Sequence, residues 1–223
     1  MTATCKAARV HIRVDRLDAA FLRAASISLE LIGRLEVSDG WQRPSALPKM
    51  SVGALACHLG RQTVRAAELL PVETDVAPLD SAAAHYDRAA WVTARSPDDP
   101  PNDRSTDDTE AALGVSALEH RAVKALEMVQ GLFAANSARE VVLIPWQGWS
   151  LRRDDFLLTR LLEVVVHTDD LAVSVGVTTP EFPDDVFTPV QDLLIRLAVG
   201  RHGQSAVIGT LTRRERSRII SAF

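Results

Sequence analysis

Apolar side chains recur at helical spacing in long stretches of the chain, which predicts a largely helical protein. Long helices are expected over residues 17–35, 51–70, 110–135 and 154–175, with an alanine-rich helix over residues 81–95. Ser51 is suited to cap the helix that follows it, and Gly176 is suited to end the helix that precedes it. Four long helices joined by short and medium connections are typical of a helical bundle.

The connections between these helices contain residues that favour turns. Pro44 and Pro48 exclude residues 41–48 from a helix, and three prolines with five aspartates predict a loop over residues 96–109. Further expectations are a strand or extended segment at 141–144, an aromatic turn at 146–149, a helix at 186–199 and a β-like run at 206–211.

The composition is that of an ordinary globular protein. The 223 residues are 47% apolar and 24% charged, and the net charge of -4 argues against nucleic-acid binding by bulk charge. Apolar runs are too short for a membrane span, and Lys6, Arg9 and Arg13 interrupt any signal-peptide core. Cys5 and Cys57 form no disulfide framework, so the expected location is the reducing cytoplasm, without membrane or nucleic-acid partners.

One polar stripe stands out on the otherwise apolar helix over residues 154–175. It consists of Arg160, Glu163, His167 and Asp170. Steps of three and four residues place all four side chains on one helical face. A carboxylate oxygen of Glu163 and an imidazole nitrogen of His167 can meet at one divalent ion. The simpler interpretation is that the stripe is the polar side that a buried helix keeps, and two ligands do not make a metal site.

A third ligand has to come from another helix, and His58 is the best candidate. It lies at the edge of an apolar helical face, from which it can point toward a neighbouring helix. A boundary histidine bonded to a carbonyl group or to water would occupy the same position. Cys57 points about 100° away and is interpreted as a small buried residue. The other histidines, His11, His85, His120 and His202, have no paired ligand in the sequence.

Two blocks of sequence resemble the mycothiol-dependent maleylpyruvate isomerase family, part of the DinB-like metalloenzymes. The first block contains Trp41, Pro44, Ser45, Leu47, Pro48, Ser51, Val52, Leu55, His58 and Leu59. The second contains Trp146, Gly148, Leu151, Arg160, Glu163, His167, Asp170 and Leu171. Met50 stands where the family usually has a tryptophan, and only about 45 residues follow Gly176. The resemblance implies a mainly α protein, with a DinB-like four-helix bundle over residues 14–178 and a short C-terminal extension over residues 179–223 packed on it.

The resemblance also implies a metal site. His58, Glu163 and His167 correspond to the ligands of a divalent metal, which we expect to be zinc. Three protein ligands leave one position on zinc for water or substrate. Asp170 is expected to accept a hydrogen bond from an imidazole N–H. Arg160 is expected either to bind an anionic substrate or to pair with Glu163.

The function implied is that of an enzyme in which a small thiol, mycothiol or a similar compound, reacts with an electrophilic substrate by S-transfer or isomerisation. The alternatives are a metal-dependent hydrolase and a non-enzymatic binding module with a vestigial metal site. In a binding module, the basic C-terminal end would contact an acidic partner, although a solvated surface is the simpler interpretation. A homodimer is compatible with a bundle of this size.

Overall fold

The computed structural model describes residues 17–93, 99 and 105–223. The predicted start of the bundle at residue 14, Cys5, His11 and most of the loop predicted at 96–109 lie outside these residues. The helices are α1 Leu17–Ile32, α2 Leu35–Gly40, α3 Val52–Leu69, α4 Ala82–Arg88, α5 Ser105–Ala111, α6 Val115–Ala134, α7 Arg153–Val175, α8 Asp184–His202 and α9 Gln204–Thr212. The strands are β1 Val141–Ile144 and β2 Trp149–Arg152.

Helices α1, α3, α6 and α7 form the bundle. Both α1 and α3 pack against α6 and α7, and they also contact each other. Phe21, Leu55 and Leu161 are fully buried in the shared core. This arrangement confirms the predicted mainly α fold and the DinB-like four-helix bundle. The boundary between bundle and extension at residue 178 stays a prediction.

The helix α3 is buried along most of its length. Ser51 caps it, because the side-chain oxygen accepts a hydrogen bond from the backbone N–H of Ala54 at 3.1 Å. Gly60 allows close approach to α6, since a Cβ atom at this position would lie 2.7 Å from Cδ1 of Leu118. His58 therefore lies on a helix that is held in place by packing.

Trp41 connects the segment before α3 to the end of α5. A Cβ atom at Gly53 would lie 2.5 Å from Cε2 of Trp41, so this contact requires glycine. The indole N–H of Trp41 donates a hydrogen bond to the backbone oxygen of Ala111 at 2.9 Å. Because α5 also carries Asp107, the Trp41 contact helps to position a residue of the site described below.

Two predicted helices are shorter than their apolar patterns indicated. The helix predicted over residues 17–35 ends at Ile32, where the chain turns before α2 begins. The helix predicted over residues 81–95 ends at Arg88. Ala89 is extended there, with φ -67° and ψ 119°, and this conformation breaks the helix.

Three further predictions were wrong. Residues 105–109, predicted as loop, begin α5. The helix predicted from residue 110 is interrupted at Gly114, whose φ of 85° suits glycine. Residues 206–211, predicted as β-like, lie in α9. A strand at this place would need a neighbouring strand, whereas a helix satisfies its own backbone hydrogen bonds.

A hairpin and α8 complete the fold. The segment predicted at 141–144 is a strand, and β1 pairs antiparallel with β2, with Val141 opposite Arg152. The helix α8 packs against α1 and α7, and Arg23 of α1 forms an ion pair with Asp185 of α8. None of the helices among the described residues combines the length and the hydrophobicity that a membrane span needs.

The chain after α9 turns back onto the rest of the molecule. The backbone N–H of Arg218 donates a hydrogen bond to Oγ1 of Thr210. Nε2 of His202 lies 2.8 Å from the backbone oxygen of Ser221. Its arginines are exposed, as expected of a solvated surface; they are Arg213, Arg214, Arg216 and Arg218. These contacts hold the chain so that Phe223 packs against the core.

Candidate metal centre

Helices α3 and α7 bring together the three side chains that the sequence predicted as metal ligands. Oε2 of Glu163 lies 3.6 Å from Nε2 of His58 and 3.3 Å from Nε2 of His167. One ligand atom from each residue lies within 4.8 Å of the other two. An ion with bonds of about 2.0–2.2 Å holds its ligand atoms about 3–4 Å apart, and the two distances from Glu163 lie in this range. We call these three residues the HEH cluster.

Two carboxylates orient the imidazole rings of the HEH cluster. Nδ1 of His58 lies 3.2 Å from Oδ2 of Asp107, and Nδ1 of His167 lies 2.9 Å from Oδ2 of Asp170. Since an ionised carboxylate only accepts hydrogen bonds, each neutral ring carries its proton on Nδ1. Each Nε2 points toward Glu163, and in a neutral ring with its proton on Nδ1 the lone pair of Nε2 would be available to a metal ion.

The electrostatics of the HEH cluster favour positive charge at its centre. Burial opposes ionisation of Glu163, but hydrogen bonds from His167 and His58 outweigh burial and hold its pKa well below the ordinary value. Burial also opposes protonation of His167, but hydrogen bonds to Asp170 and Glu163 raise its pKa to about 9. A divalent cation would supply the positive charge that this arrangement favours.

Ion pairs hold α5, and with it Asp107, against the bundle. Nη2 of Arg61 on α3 lies 2.7 Å from Oδ1 of Asp107 and 2.7 Å from Oε2 of Glu110. Arg121 on α6 also pairs with Glu110, at 2.9 Å. The short helix α5 is therefore tied to two bundle helices, and the Asp107 carboxylate is held beside His58.

A cavity of about 400 Å³ opens beside the HEH cluster, which forms part of its lining. Arg65 and Arg160 line the same cavity. Among the residues that the structure describes, none forms an ion pair with either guanidinium group. The cavity therefore has positive charge available for an anionic group.

Different contacts hold the two arginines. Nη1 of Arg160 donates a hydrogen bond to Oε1 of Gln62 at 2.6 Å, and Arg160 forms no ion pair with Glu163. Cζ of Arg65 lies 4.3 Å from the ring centroid of Trp146, a cation–π contact. Burial, reinforced by the charge of Arg160, lowers the pKa of Arg65 to about 10, so its side chain stays charged at neutral pH.

Aromatic side chains form another wall of the cavity. The ring centroids of Trp91 and Phe223, which both line it, are 5.0 Å apart. Tyr86 lies behind them, 6.0 Å from Trp91 and 5.2 Å from Phe223. The C-terminal extension thus contributes to the cavity that α3 and α7 line with the HEH cluster. Sequence reasoning missed this contribution, because no local pattern links position 223 to α4.

Sequence reasoning also missed Asp107 and His85. Asp107 lies in the aspartate-rich segment predicted as loop, where nothing distinguished it from its neighbours. His85 had no partner in the sequence, yet its side chain is buried and lines the cavity. Ser81 could have indicated the position of His85 in the fold. Because Ser81 caps α4, His85 lies one turn into that helix. His120 is exposed, as expected of a histidine outside the site.

Cys57 follows the expectation of a small buried residue. It precedes His58 in α3 but is not part of the HEH cluster. Burial, followed by the charge of Glu110, raises the pKa of its thiol to about 12. A thiol with this pKa stays protonated at neutral pH and is not available as a nucleophile.

A sequence model of one protein family, the mycothiol maleylpyruvate isomerase N-terminal domain, matches residues 21–172. The match spans more than half of the chain and includes the whole HEH cluster. The chain belongs to this family. As a member of the mycothiol maleylpyruvate isomerase N-terminal domain family, it is a mycothiol-related, DinB-like protein, as the resemblance implied. No curated protein and no solved structure matches the chain.

Proposed function

We propose that the protein is a metal-dependent enzyme that uses a low-molecular-weight thiol, mycothiol or a similar compound, for S-transfer to an electrophilic small molecule or for its isomerisation. The residues that would hold the metal are His58, Glu163 and His167, and zinc is the ion that we expect. A metal at this position would lower the pKa of a thiol bound beside it. A cytoplasmic location, expected from the cysteine content, belongs to the same proposal.

The orientation of the two histidines carries the proposal. Asp107 and Asp170 accept hydrogen bonds from the two Nδ1 atoms, so both Nε2 atoms are directed at the Glu163 carboxylate. A polar stripe that served only to face solvent would not require carboxylates behind both rings. Carboxylates in this position are the usual support of metal-binding histidines.

The cavity suits a small anionic substrate. Its volume of about 400 Å³ lies within the range of small-molecule sites. Arg65 and Arg160 can bind a carboxylate or a similar group, and they would orient it relative to the HEH cluster. Trp91 and Phe223 add aromatic surface to the lining of the same cavity. The chain would therefore bind and orient the substrate through both charged and aromatic side chains.

The reacting sulfur would come from a separate molecule. Cys57, the cysteine within the described residues, is fully buried, and its raised pKa keeps the thiol protonated. Membership of a mycothiol-related family favours mycothiol as the thiol.

The proposal is tested by metal content and thiol binding. We expect zinc-loaded protein to hold about one ion per chain, measured by inductively coupled plasma mass spectrometry. Mycothiol at about 100 times its Kd should then raise the free energy of unfolding by about 2.7 kcal/mol, measured as an increase in Tm. S-methyl mycothiol, which has no ionisable sulfur, is the matched control and should stabilise the protein much less. Failure to bind zinc, or equal stabilisation by both compounds, would contradict the proposal.

Replacing Asp107 with asparagine should weaken zinc binding by about 10- to 100-fold, the usual cost of losing a carboxylate that holds a metal-binding histidine. Asparagine has a similar shape, but it lacks the charge that keeps the proton of His58 on Nδ1. Competition with a chromophoric chelator measures the affinity. Asp108→Asn changes the exposed neighbour on α5 and should bind zinc like the unchanged protein. Equal zinc affinities in the two variants would show that Asp107 does not support the metal.

A further inference from the structure

His85 is a buried histidine with one ring nitrogen occupied and the other available. It is 4% exposed and lines the cavity beside the HEH cluster. The indole N–H of Trp149, on β2, donates a hydrogen bond to its Nδ1 at 3.2 Å. Within the described part of the chain, no residue forms a hydrogen bond with its Nε2.

The contact with Trp149 determines which nitrogen of His85 carries the proton. An indole N–H can only donate, so Nδ1 accepts and the proton of the neutral ring lies on Nε2. Burial, reinforced by the charge of Arg160, lowers the pKa of His85 to about 4. The ring is therefore neutral at pH 7 and has a free N–H donor.

Because His85 lines the cavity and its Nε2 has no partner among the described residues, this donor is available to water or to an acceptor of a bound molecule. Charged groups of the cavity lining include Arg65, Arg160 and Glu163. His85 adds a donor without adding charge. An oxygen atom of a bound molecule is the acceptor that such a group selects.

We propose that Nε2–H of His85 donates a hydrogen bond to a carbonyl or carboxylate oxygen of the small molecule that occupies the cavity. The inference rests on the proposed function, in which that molecule is the electrophilic substrate. His85 of α4 would then hold the oxygen-bearing end of the substrate, and Trp149 of β2 would hold the His85 ring. Trp149 acts as a positioning residue, because it keeps the proton of His85 on the nitrogen that is free.

The experiment is NMR of the full chain labelled with ¹⁵N-histidine, both metal-free and zinc-loaded, at pH 7 with acetate as the probe. We expect His85 to be neutral with its proton on Nε2, and its ring signals to move as acetate is added. The same titrations give the acetate affinity of variants. His85→Phe, which keeps a ring but loses the donor, should bind acetate about 2- to 10-fold more weakly. His85→Gln, which retains an N–H donor, should stay within about twofold of the unchanged protein.

His120→Phe alters an exposed histidine on α6 and is the matched control, with unchanged acetate binding expected. A proton on Nδ1 of His85, ring signals that do not respond to acetate, or equal weakening in the two His85 variants would each overturn the inference. If His85→Phe does not fold, the inference is still tested by the position of the proton on the His85 ring and by the acetate affinity of His85→Gln. Acetate binding to metal-free protein needs neither zinc nor mycothiol, so failure here is distinguishable from failure of the proposed function.

Discussion

The Glu163→Gln protein should lose zinc affinity by more than about 100-fold, because loss of a supporting carboxylate alone typically costs about 10- to 100-fold. Glutamine preserves the size of the side chain but removes the negative charge between His58 and His167. That charge lies 3.6 Å and 3.3 Å from the two Nε2 atoms, and it is the only formal charge among the three candidate ligands when both rings are neutral. Chelator competition and mass spectrometric metal analysis measure the change.

Glu127→Gln is the matched control for this substitution. It makes the same chemical change at an exposed position on α6, and its zinc affinity should equal that of the unchanged protein. Circular dichroism of both variants checks that the helical fold is retained. Zinc affinity within about threefold in Glu163→Gln would remove the basis for a metal site at the HEH cluster.

Gly53→Ala should reduce the free energy of unfolding by about 1–3 kcal/mol, the usual cost of overpacking a well-packed core. The added methyl carbon would lie 2.5 Å from Cε2 of Trp41 and 2.7 Å from Nε1, and a buried indole ring cannot move away without disturbing its neighbours. Displacing the ring also weakens its hydrogen bond to Ala111 at the end of α5. Urea denaturation followed by circular dichroism measures the loss.

The same substitution at Gly131 should have the opposite effect. Gly131 lies in α6, and a Cβ atom added there meets nothing within 4 Å. Alanine should stabilise this helix by about 0.5–1 kcal/mol, because glycine is a poor helix former. Stability changes of the same sign in Gly53→Ala and Gly131→Ala would show that the Trp41 contact does not govern the packing of α3.

Helices with strong local signals could be predicted from the sequence. The predicted ends of α3 and α7 are close to the observed ones, because Ser51 caps the first and Gly176, with φ 73°, ends the second. Their apolar faces are long and regular, so burial reinforces the local preference. The family resemblance, rather than the helical pattern alone, predicted that three side chains would converge. They are His58, Glu163 and His167.

The remaining features depend on contacts between segments distant in the sequence. Asp107 reaches His58 across 49 positions. Trp149 reaches His85 across 64 positions. Neither pairing has a local pattern, so no periodicity could indicate it. The error at residues 206–211 has a different cause, because β-branched side chains favour a strand only where a neighbouring strand is available.

Phe223 limits what family membership reveals about this protein. The matched region ends at residue 172, whereas the aromatic wall of the cavity is completed by a side chain about 50 positions later. Proteins that share the HEH cluster can therefore differ in the shape of the pocket that surrounds it. Under the proposed function, differences in substrate preference between proteins with the same HEH cluster are expected to arise in their C-terminal segments. Membership of the family therefore does not define the cavity of this chain, because Phe223 lies outside the matched region.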